Sequence, residues 1–185
     1  MRSLLPLLAF ASCVVAQDAP PTPPLSFTAN ITQVQGGQIL HGFIAWDAVG
    51  KRTFEYVKEF EATTYQFQKL GTAEVYSYYI TTSGCTCTVM KSAIIESYFR
   101  ELASAAKNST GCPGGGSGTY WANNAFPGLY GAAQSGFCFD GSTPVSMING
   151  QVLTTFSNFK NSVVASDFPV EPIQSMIQAC SSGCI

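Results

Sequence analysis

Short runs in which apolar and polar side chains alternate dominate the chain from Ser26 onward. In "SFTANITQV", Phe27, Ala29 and Ile31 share one side, and the Thr and Asn residues between them share the other. Since successive side chains of a strand point to opposite faces, this alternation predicts a strand. Similar runs recur in "ILHGFIAW", "RTFEYVKEF", "TTYQFQKL" and "EVYSYYI", with turn sequences at "QGGQ" and "DAVGK". Closely spaced strands joined by short turns predict an antiparallel meander.

A different period marks "SAIIESYFRELASAAK", where apolar side chains recur every three or four positions. This spacing predicts an amphipathic helix from Ser92 to Lys107, with Ser92 as its N-cap. Strand-like pieces resume around residues 119–122, 137–139, 144–148 and 152–159. The predicted fold class is mainly β, with one or two helices lying against a large curved antiparallel sheet. The apolar stripe of the predicted helix comprises Ile94, Ile95, Tyr98, Phe99, Leu102, Ala105 and Ala106.

The N-terminus carries an export signal in "MRSLLPLLAFASCVVAQ", where one basic residue precedes an apolar run and small residues. We expect residues 1–16 to be a signal peptide that is removed, and the mature protein to be secreted and extracellular. Residues 17–25 are a proline-rich lead-in, and residues 26–185 form a single domain. The alternative interprets "FASC" as a bacterial lipoprotein box with Cys13 acylated, which Phe10 fits poorly.

Six cysteines remain after removal of the signal, and an even number in an exported chain predicts disulfides. Cys85 and Cys87 share one face of a strand, so each is expected to bond a distant partner. Fifteen pairings are open, and we favour at least one bond from this pair to Cys180 or Cys184. A zinc site is disfavoured because His41 is the one histidine. The six are Cys85, Cys87, Cys112, Cys138, Cys180 and Cys184.

The charge content excludes some partners. Charged residues make up 11% of the chain and the net charge is −2, with no basic patch of the kind that binds nucleic acid. Asn30-Ile31-Thr32 and Asn108-Ser109-Thr110 are N-glycosylation acceptors, which predicts glycans on Asn30 and Asn108. The composition is that of an extracellular glycoprotein.

Five stretches, taken in order, resemble the ependymin-related proteins. These are secreted glycoproteins whose fold is shared with the bacterial lipoprotein carriers LolA and LolB. The chain departs from the family pattern in lacking cysteines nearer its N-terminus and in doubling Cys85 with Cys87. The stretches are "GFIAWDAVGKRTFEYV", "VYSYYITTSGCTCTVM", "TYWANNAF", "GFCFDGSTPVSM" and "TTFSNFKNSVVASDFPVEPIQSMIQAC".

The resemblance implies a LolA-like half-open antiparallel barrel with helices on its concave side, enclosing an apolar cavity. It favours Cys85 or Cys87 joined to Cys180 and leaves Cys112 and Cys138 undetermined. It also brings in the binding of lipids or other hydrophobic ligands, the binding of calcium, and roles at cell surfaces and in the extracellular matrix.

The first functional hypothesis is therefore a secreted protein that binds a lipid or fatty acid in an apolar cavity. Aromatic residues are in surplus on alternating strand positions, and such a lining would bury an acyl chain at about 0.8 kcal/mol per methylene. The residues predicted to line the cavity are Phe43, Phe54, Tyr56, Tyr65, Phe67, Tyr76, Tyr78 and Trp121.

The second hypothesis is a matrix or cell-adhesion protein, in which calcium would be the only cofactor. Asp47, Asp140 and Asp167 lie in or near predicted turns where a single site could assemble, although no EF-hand loop is present. Its partners would be matrix or cell-surface proteins. Open sheet edges also favour a homodimer.

The third hypothesis, a small secreted hydrolase, is the least favoured, and we expect no enzyme. His41 lies in an apolar strand, and no Gly-x-Ser-x-Gly nucleophile elbow occurs. Glu55, Glu59 and Glu61 are interpreted as the solvated face of a strand.

Overall fold

Eleven strands form one antiparallel sheet in the computed structural model, which describes residues 19–123, 135–169, Cys180 and Cys184. The spatial order is β6-β5-β4-β3-β2-β1-β11-β10-β9-β8-β7. None of the described helical segments is long and apolar enough to cross a membrane. The strands are β1 (Ser26–Gln35), β2 (Gln38–Asp47), β3 (Arg52–Val57), β4 (Ala62–Gln68), β5 (Glu74–Thr81), β6 (Gly84–Lys91), β7 (Ala106–Asn108), β8 (Thr119–Asn123), β9 (Ser135–Asp140), β10 (Thr143–Asn149) and β11 (Val152–Lys160).

The predicted meander is confirmed. Strands β1 to β5 occupy the five predicted runs, and β6 continues the series. Gln35 pairs with Gln38 across the first turn. Gly36 and Gly37 both have positive φ, 56° and 82°, which glycine adopts without steric cost. The later predicted pieces correspond to β8 to β11, whereas the three-residue strand β7 was not predicted.

The two halves of the sheet meet where β1 pairs with β11, so that Ile31 lies opposite Phe156. A register shift between Thr28 and Asn30 accompanies Asn158, whose φ is 51°. The bulge keeps Phe159 on the same face as Phe27, and their rings stack with centroids 5.1 Å apart. Strands β6 and β7 remain as the two edges of an open sheet among the described residues.

Residues 92–105, the crossing segment, run from the end of β6 at one edge to the start of β7 at the other. A flat sheet with ten strand spacings would be about 48 Å wide. The segment reaches at most about 44 Å, because residues 100–104 are a 3₁₀ turn with a rise of only about 2 Å per residue. The sheet must therefore curve around the segment, and the face beneath the segment is the concave one.

The predicted helix from Ser92 to Lys107 is wrong. Residues 93–97 have no regular structure, and Arg100–Ser104 form a single short 3₁₀ helix. A helix of sixteen residues would be about 24 Å long, whereas the largely extended segment can reach about 44 Å between the two edges. The described residues contain two further 3₁₀ segments, Lys58–Phe60 and Ala165–Asp167, and no α-helix.

Side chains of the sheet take up backbone groups of the crossing segment that a helix would have paired internally. The amide of Ile95 donates to Gln68 Oε1 at 3.2 Å, and its carbonyl accepts from Lys51 Nζ at 2.8 Å. The indole of Trp46 donates to the carbonyl of Glu96 at 2.8 Å. Because buried backbone groups need hydrogen-bond partners, these bonds stabilise the crossing segment in its non-helical conformation.

The concave face carries the main hydrophobic cluster. Ile95, Phe99 and Leu102 of the crossing segment are buried against the sheet, so part of the predicted apolar stripe does enter the core. Ile94, by contrast, is 51% exposed. The buried members of the cluster are Phe27, Ala29, Ile31, Ile44, Phe99, Leu102, Trp121, Phe137, Phe139 and Phe156.

Three disulfides join the six predicted cysteines: Cys85 to Cys180, Cys87 to Cys184, and Cys112 to Cys138. The first two span 95 and 97 residues and attach the C-terminal part of the chain to the edge strand β6. The favoured bonds from the Cys85 and Cys87 pair to Cys180 and Cys184 are confirmed. Cys13 and the predicted signal peptide lie outside the described residues.

Candidate functional site

A hollow of ≈ 490 Å³ lies between the concave face and the crossing segment. Val75 and Met90 enter it from β5 and β6, and Phe137 and Met147 enter it from β9 and β10. Residues from distant parts of the sheet therefore meet around one space, as the curvature requires. The lining comprises Trp46, Gln66, Val75, Met90, Ala93, Ile94, Ile95, Glu96, Ser97, Tyr98, Arg100, Glu101, Phe137, Met147 and Asn149.

The walls of the hollow are apolar and adaptable. Val75 and Phe137 are buried, and Met147 lies directly opposite Phe137 in the β9–β10 pair. Met90 pairs with Val75 across β5 and β6. Methionine side chains are unbranched and fill irregular space, so the walls formed by Met90 and Met147 can adjust their shape.

Polar groups mark the part of the lining that solvent reaches. Arg100 Nη1 donates to Glu96 Oε2 at 2.8 Å, and the Arg100 side chain is 64% exposed and the Glu96 side chain 40% exposed. Gln66 Nε2 donates to Ser77 Oγ at 3.2 Å. The lining of the hollow is thus apolar at Val75, Phe137 and Met147 and charged at Glu96 and Arg100.

Glu55 faces the concave side beside Tyr98. Burial raises the pKa of the Glu55 carboxyl. Burial also raises the pKa of Tyr98, and the Glu55 charge adds to that effect. The interpretation of the three glutamates as the solvated face of a strand is therefore wrong: Glu55 is half-buried in β3, and Glu59 and Glu61 are exposed but lie in and just after the 3₁₀ segment that follows β3.

The structure places seven of the eight predicted lining residues on the opposite, convex face of β2 to β5. Cross-strand pairing makes them one continuous strip, here called the convex aromatic strip. The Phe67 ring stacks on Tyr76 and Tyr78, with centroid distances of 5.3 and 6.1 Å. The strip comprises Phe43, Phe54, Tyr56, Tyr65, Phe67, Tyr76 and Tyr78.

Described residues of the C-terminal region lie over the convex aromatic strip. Phe168 is buried against Ala45 and Phe54, and the Arg52 guanidinium lies 4.1 Å from the centroid of the Phe168 ring. Near β5, Cys184 Sγ is 3.7 Å from the hydroxyl oxygen of Tyr78. The strip is thus packed as a second core at Phe54 and Tyr78, and its other members are half-buried.

Trp121, the eighth predicted residue, lies on the concave face. It pairs with Phe137 across β8 and β9 and packs in the main hydrophobic cluster without lining the hollow. Sequence reasoning missed Trp46, which does line it. The available signal was its position in β2, which puts Trp46 on the face opposite to Phe43.

The three aspartates considered for calcium lie at separate turns. Burial alone would raise the pKa of Asp47, but hydrogen bonds from Gly50, Ser26 and Arg52 hold it below its usual value. Asp167 accepts from the amide of Val164 at 2.7 Å, and Asp140 is exposed. The described residues hold no group of three or more His, Cys, Asp or Glu suited to a metal. Calcium binding stays a prediction.

His41 forms an exposed pair with Glu59, in which His41 Nδ1 lies 2.7 Å from Glu59 Oε1. The hydrogen bond from the His41 ring lowers the pKa of the Glu59 carboxyl. This contact joins the first half of β2 to the turn after β3.

The two glycosylation acceptors differ in setting. Asn30 is exposed within β1, which is paired on both sides. Asn108 ends the edge strand β7, and its Oδ1 accepts from Thr110 N at 2.9 Å and from Thr110 Oγ1 at 2.8 Å. Glycosylation at both stays a prediction.

Comparison with protein-family models gives no match, and a search of the curated proteins gives none either.

Proposed function

We propose that this protein is a secreted, non-enzymatic glycoprotein that binds a hydrophobic ligand, a lipid or fatty acid, in the concave hollow. The observation that carries the proposal is the hollow itself, lined by Val75 and Met90 from one side of the sheet and by Phe137 and Met147 from the other. Small-molecule sites are concave and mostly apolar, with a few polar groups that orient the ligand.

The size and chemistry of the hollow favour a ligand with one chain. A volume of ≈ 490 Å³ lies within the usual range for ligand sites, about 300–1,000 Å³. Each buried methylene would contribute about 0.8 kcal/mol. Arg100 at the rim is paired with Glu96, and Glu101 also lines the hollow, so a zwitterionic head group would meet charges of both signs there.

The convex aromatic strip is the competing location, and we assign it to stability of the fold. Phe168 and two disulfides already occupy that face next to Phe54 and Tyr78. A ligand over Phe54 or Tyr78 would have to displace described residues of the C-terminal region, whereas the hollow needs no such displacement.

Secretion and the resemblance to the ependymin-related proteins belong to the same proposal. Three disulfides are typical of extracellular proteins. The open curved sheet and the Cys85–Cys180 bond both support the resemblance, which implies a half-open barrel around an apolar cavity.

Native mass spectrometry of the delipidated protein with oleic acid or a lysophospholipid tests the proposal. We expect a 1:1 complex with the natural sequence. Met147→Trp should fill the hollow and weaken binding at least tenfold. This corresponds to a loss of about 1.4 kcal/mol in the free energy of binding. The matched control is Phe67→Leu in the convex aromatic strip, which should leave the affinity unchanged.

Two outcomes would count against the hollow as the site. If Phe67→Leu weakens binding and Met147→Trp does not, the ligand lies on the convex face. If the folded natural sequence binds neither lipid, the hydrophobic-ligand proposal fails altogether. Circular dichroism of each variant confirms that it is folded before binding is compared.

A further inference from the structure

Asn30 stands in a row of side chains that crosses the convex face. It lies directly opposite Ser157 on β11 and opposite Phe43 on β2. Phe43 in turn lies opposite Tyr56 on β3. Directly opposed side chains in antiparallel strands have Cβ atoms about 5 Å apart. The exposed amide of Asn30 therefore has a small serine on one side and two aromatic rings in succession on the other.

A cleft of ≈ 390 Å³ opens beside Asn30 and includes these rings in its lining. Thr32, the hydroxyl residue of the acceptor tripeptide, and His41 also line the cleft and oppose each other in the β1–β2 pair. Lys58 completes the lining at the end of β3. The cleft thus combines a largely apolar floor with hydrogen-bonding groups at its rim.

We propose that Asn30 carries an N-linked glycan whose first N-acetylglucosamine lies in this cleft, against Phe43 and Tyr56. One face of a pyranose ring presents C–H groups and packs on aromatic rings, while its hydroxyl and acetamido groups stay at the edge. The rings supply apolar contact area, and Lys58 supplies an exposed donor at the rim. The sugar would act as an internal ligand of the fold.

The attachment needs a lipid-diphosphate-linked oligosaccharide as the co-substrate. The side-chain amide nitrogen of Asn30 forms a bond to C1 of the first sugar. The bond from C1 to the diphosphate oxygen breaks, the diphosphate leaves with the bonding electrons, and the amide loses one proton. Because β1 is hydrogen-bonded on both sides in the folded sheet, we expect this transfer to precede the pairing of β1 with β11.

Asn108 provides a contrast within the same chain. It lies opposite Tyr120 in the β7–β8 pair, but Tyr120 is only 1% exposed and offers no free ring face. A glycan at Asn108 would therefore extend into solvent from the edge of the sheet. The proposal concerns Asn30 alone and does not depend on the hydrophobic-ligand function.

The test uses the full chain secreted from a eukaryotic host, with occupancy of both sites measured by glycopeptide mass spectrometry. An endoglycosidase trims each glycan to one N-acetylglucosamine, and the melting temperature is compared between variants. Thr32→Ala abolishes the acceptor, whereas Thr32→Ser retains it and controls for the change at position 32. We expect Thr32→Ala to melt about 2–4 °C below Thr32→Ser. Thr110→Ala, which removes the acceptor at Asn108, should produce no comparable shift.

A sharper test asks whether the stabilisation by the glycan depends on the aromatic ring of Phe43. In a Phe43→Leu background, the difference between Thr32→Ala and Thr32→Ser should largely disappear. In the natural sequence, the N-acetyl methyl signal of the sugar on Asn30 should be shifted upfield by the rings, unlike that on Asn108. This second measurement holds even if Phe43→Leu is poorly secreted.

The proposal is overturned if Asn30 is unmodified in secreted protein that is modified at Asn108. It is equally overturned if Asn30 is modified but its N-acetyl methyl signal matches that of Asn108. An undiminished Thr32 difference in folded Phe43→Leu protein would also reject packing against Phe43.

Discussion

The two faces of the sheet are both rich in aromatic residues, yet they are covered in different ways. On the concave face, the crossing segment is held by non-covalent contacts, including bonds from Lys51 and Trp46 to its backbone. On the convex face, Phe168 packs over the strip, and Cys180 and Cys184 are bonded covalently to β6. The non-covalent cover leaves a hollow beneath it, whereas the disulfide-anchored cover packs against its aromatic residues. The composition of a face therefore does not by itself distinguish a face that is closely packed from one that has a hollow beneath its cover.

The largest expected effect distinguishes the crossing segment from the helix that the spacing predicts. Phe99→Ala should lower the free energy of unfolding by about 3–5 kcal/mol, because the ring is 1% exposed and touches several aromatic neighbours. Ile94→Ala is the matched control, since Ile94 belongs to the same apolar stripe but is exposed, and it should cost well under 1 kcal/mol. Urea denaturation measures both. Equal losses would indicate that the whole stripe is buried, as in a helix.

The second prediction concerns the disulfides that attach Cys180 and Cys184 to β6 on the convex face. Replacing Cys85, Cys87, Cys180 and Cys184 together by Ala should cost about 2–4 kcal/mol, since each of the two bonds alone closes nearly the same long loop and restricts the unfolded chain. Tyrosine fluorescence should also change, because the strip near Tyr78 loses part of its anchor.

Lipid binding in the hollow should survive this replacement at temperatures where the protein remains folded. If the variant without the disulfides to β6 keeps the circular dichroism spectrum of the sheet but no longer binds lipid, the ligand depends on the convex face and the proposed site is wrong.

A smaller effect should come from Glu55 on the concave face. Its pKa is raised in the folded state, so its contribution to stability is complete below the ordinary value of 4.5 and is lost as pH rises through the raised pKa. Glu55→Gln should remove this pH-dependent loss and raise the melting temperature at pH 7. Melting curves of both proteins between pH 4 and pH 8 measure the difference. If the melting temperatures of the two proteins change with pH in the same way, Glu55 is solvated in the folded protein.

The strands were predictable because a period of two is visible locally. Phe27, Ala29 and Ile31 reveal the buried face of β1 without any knowledge of its neighbours. The β1–β11 pairing was not predictable, because nothing near Ile31 specifies Phe156 as its partner. The helix prediction failed because spacing by three and four also fits an extended path that buries Ile95, Phe99 and Leu102 of the stripe and leaves Ile94 exposed.

The candidate site was harder to predict than the fold. The seven aromatic residues were correctly grouped on one face by their alternation, but their grouping does not reveal that Phe168 covers them. The hollow draws Val75 and Met90 from one part of the chain and Phe137 and Met147 from another. Only the curvature of the sheet brings these residues together, and curvature leaves no local pattern.

The pairing of β1 with β11 has a consequence for how the chain is made. Thr32 and Thr155 are in contact although 123 residues separate them. At a synthesis rate of about 5–20 residues per second, the middle of β1 waits roughly 6–25 s for its second neighbour to emerge. During that interval the backbone around Asn30 is unpaired on one side and accessible to export-pathway enzymes that the finished sheet would exclude.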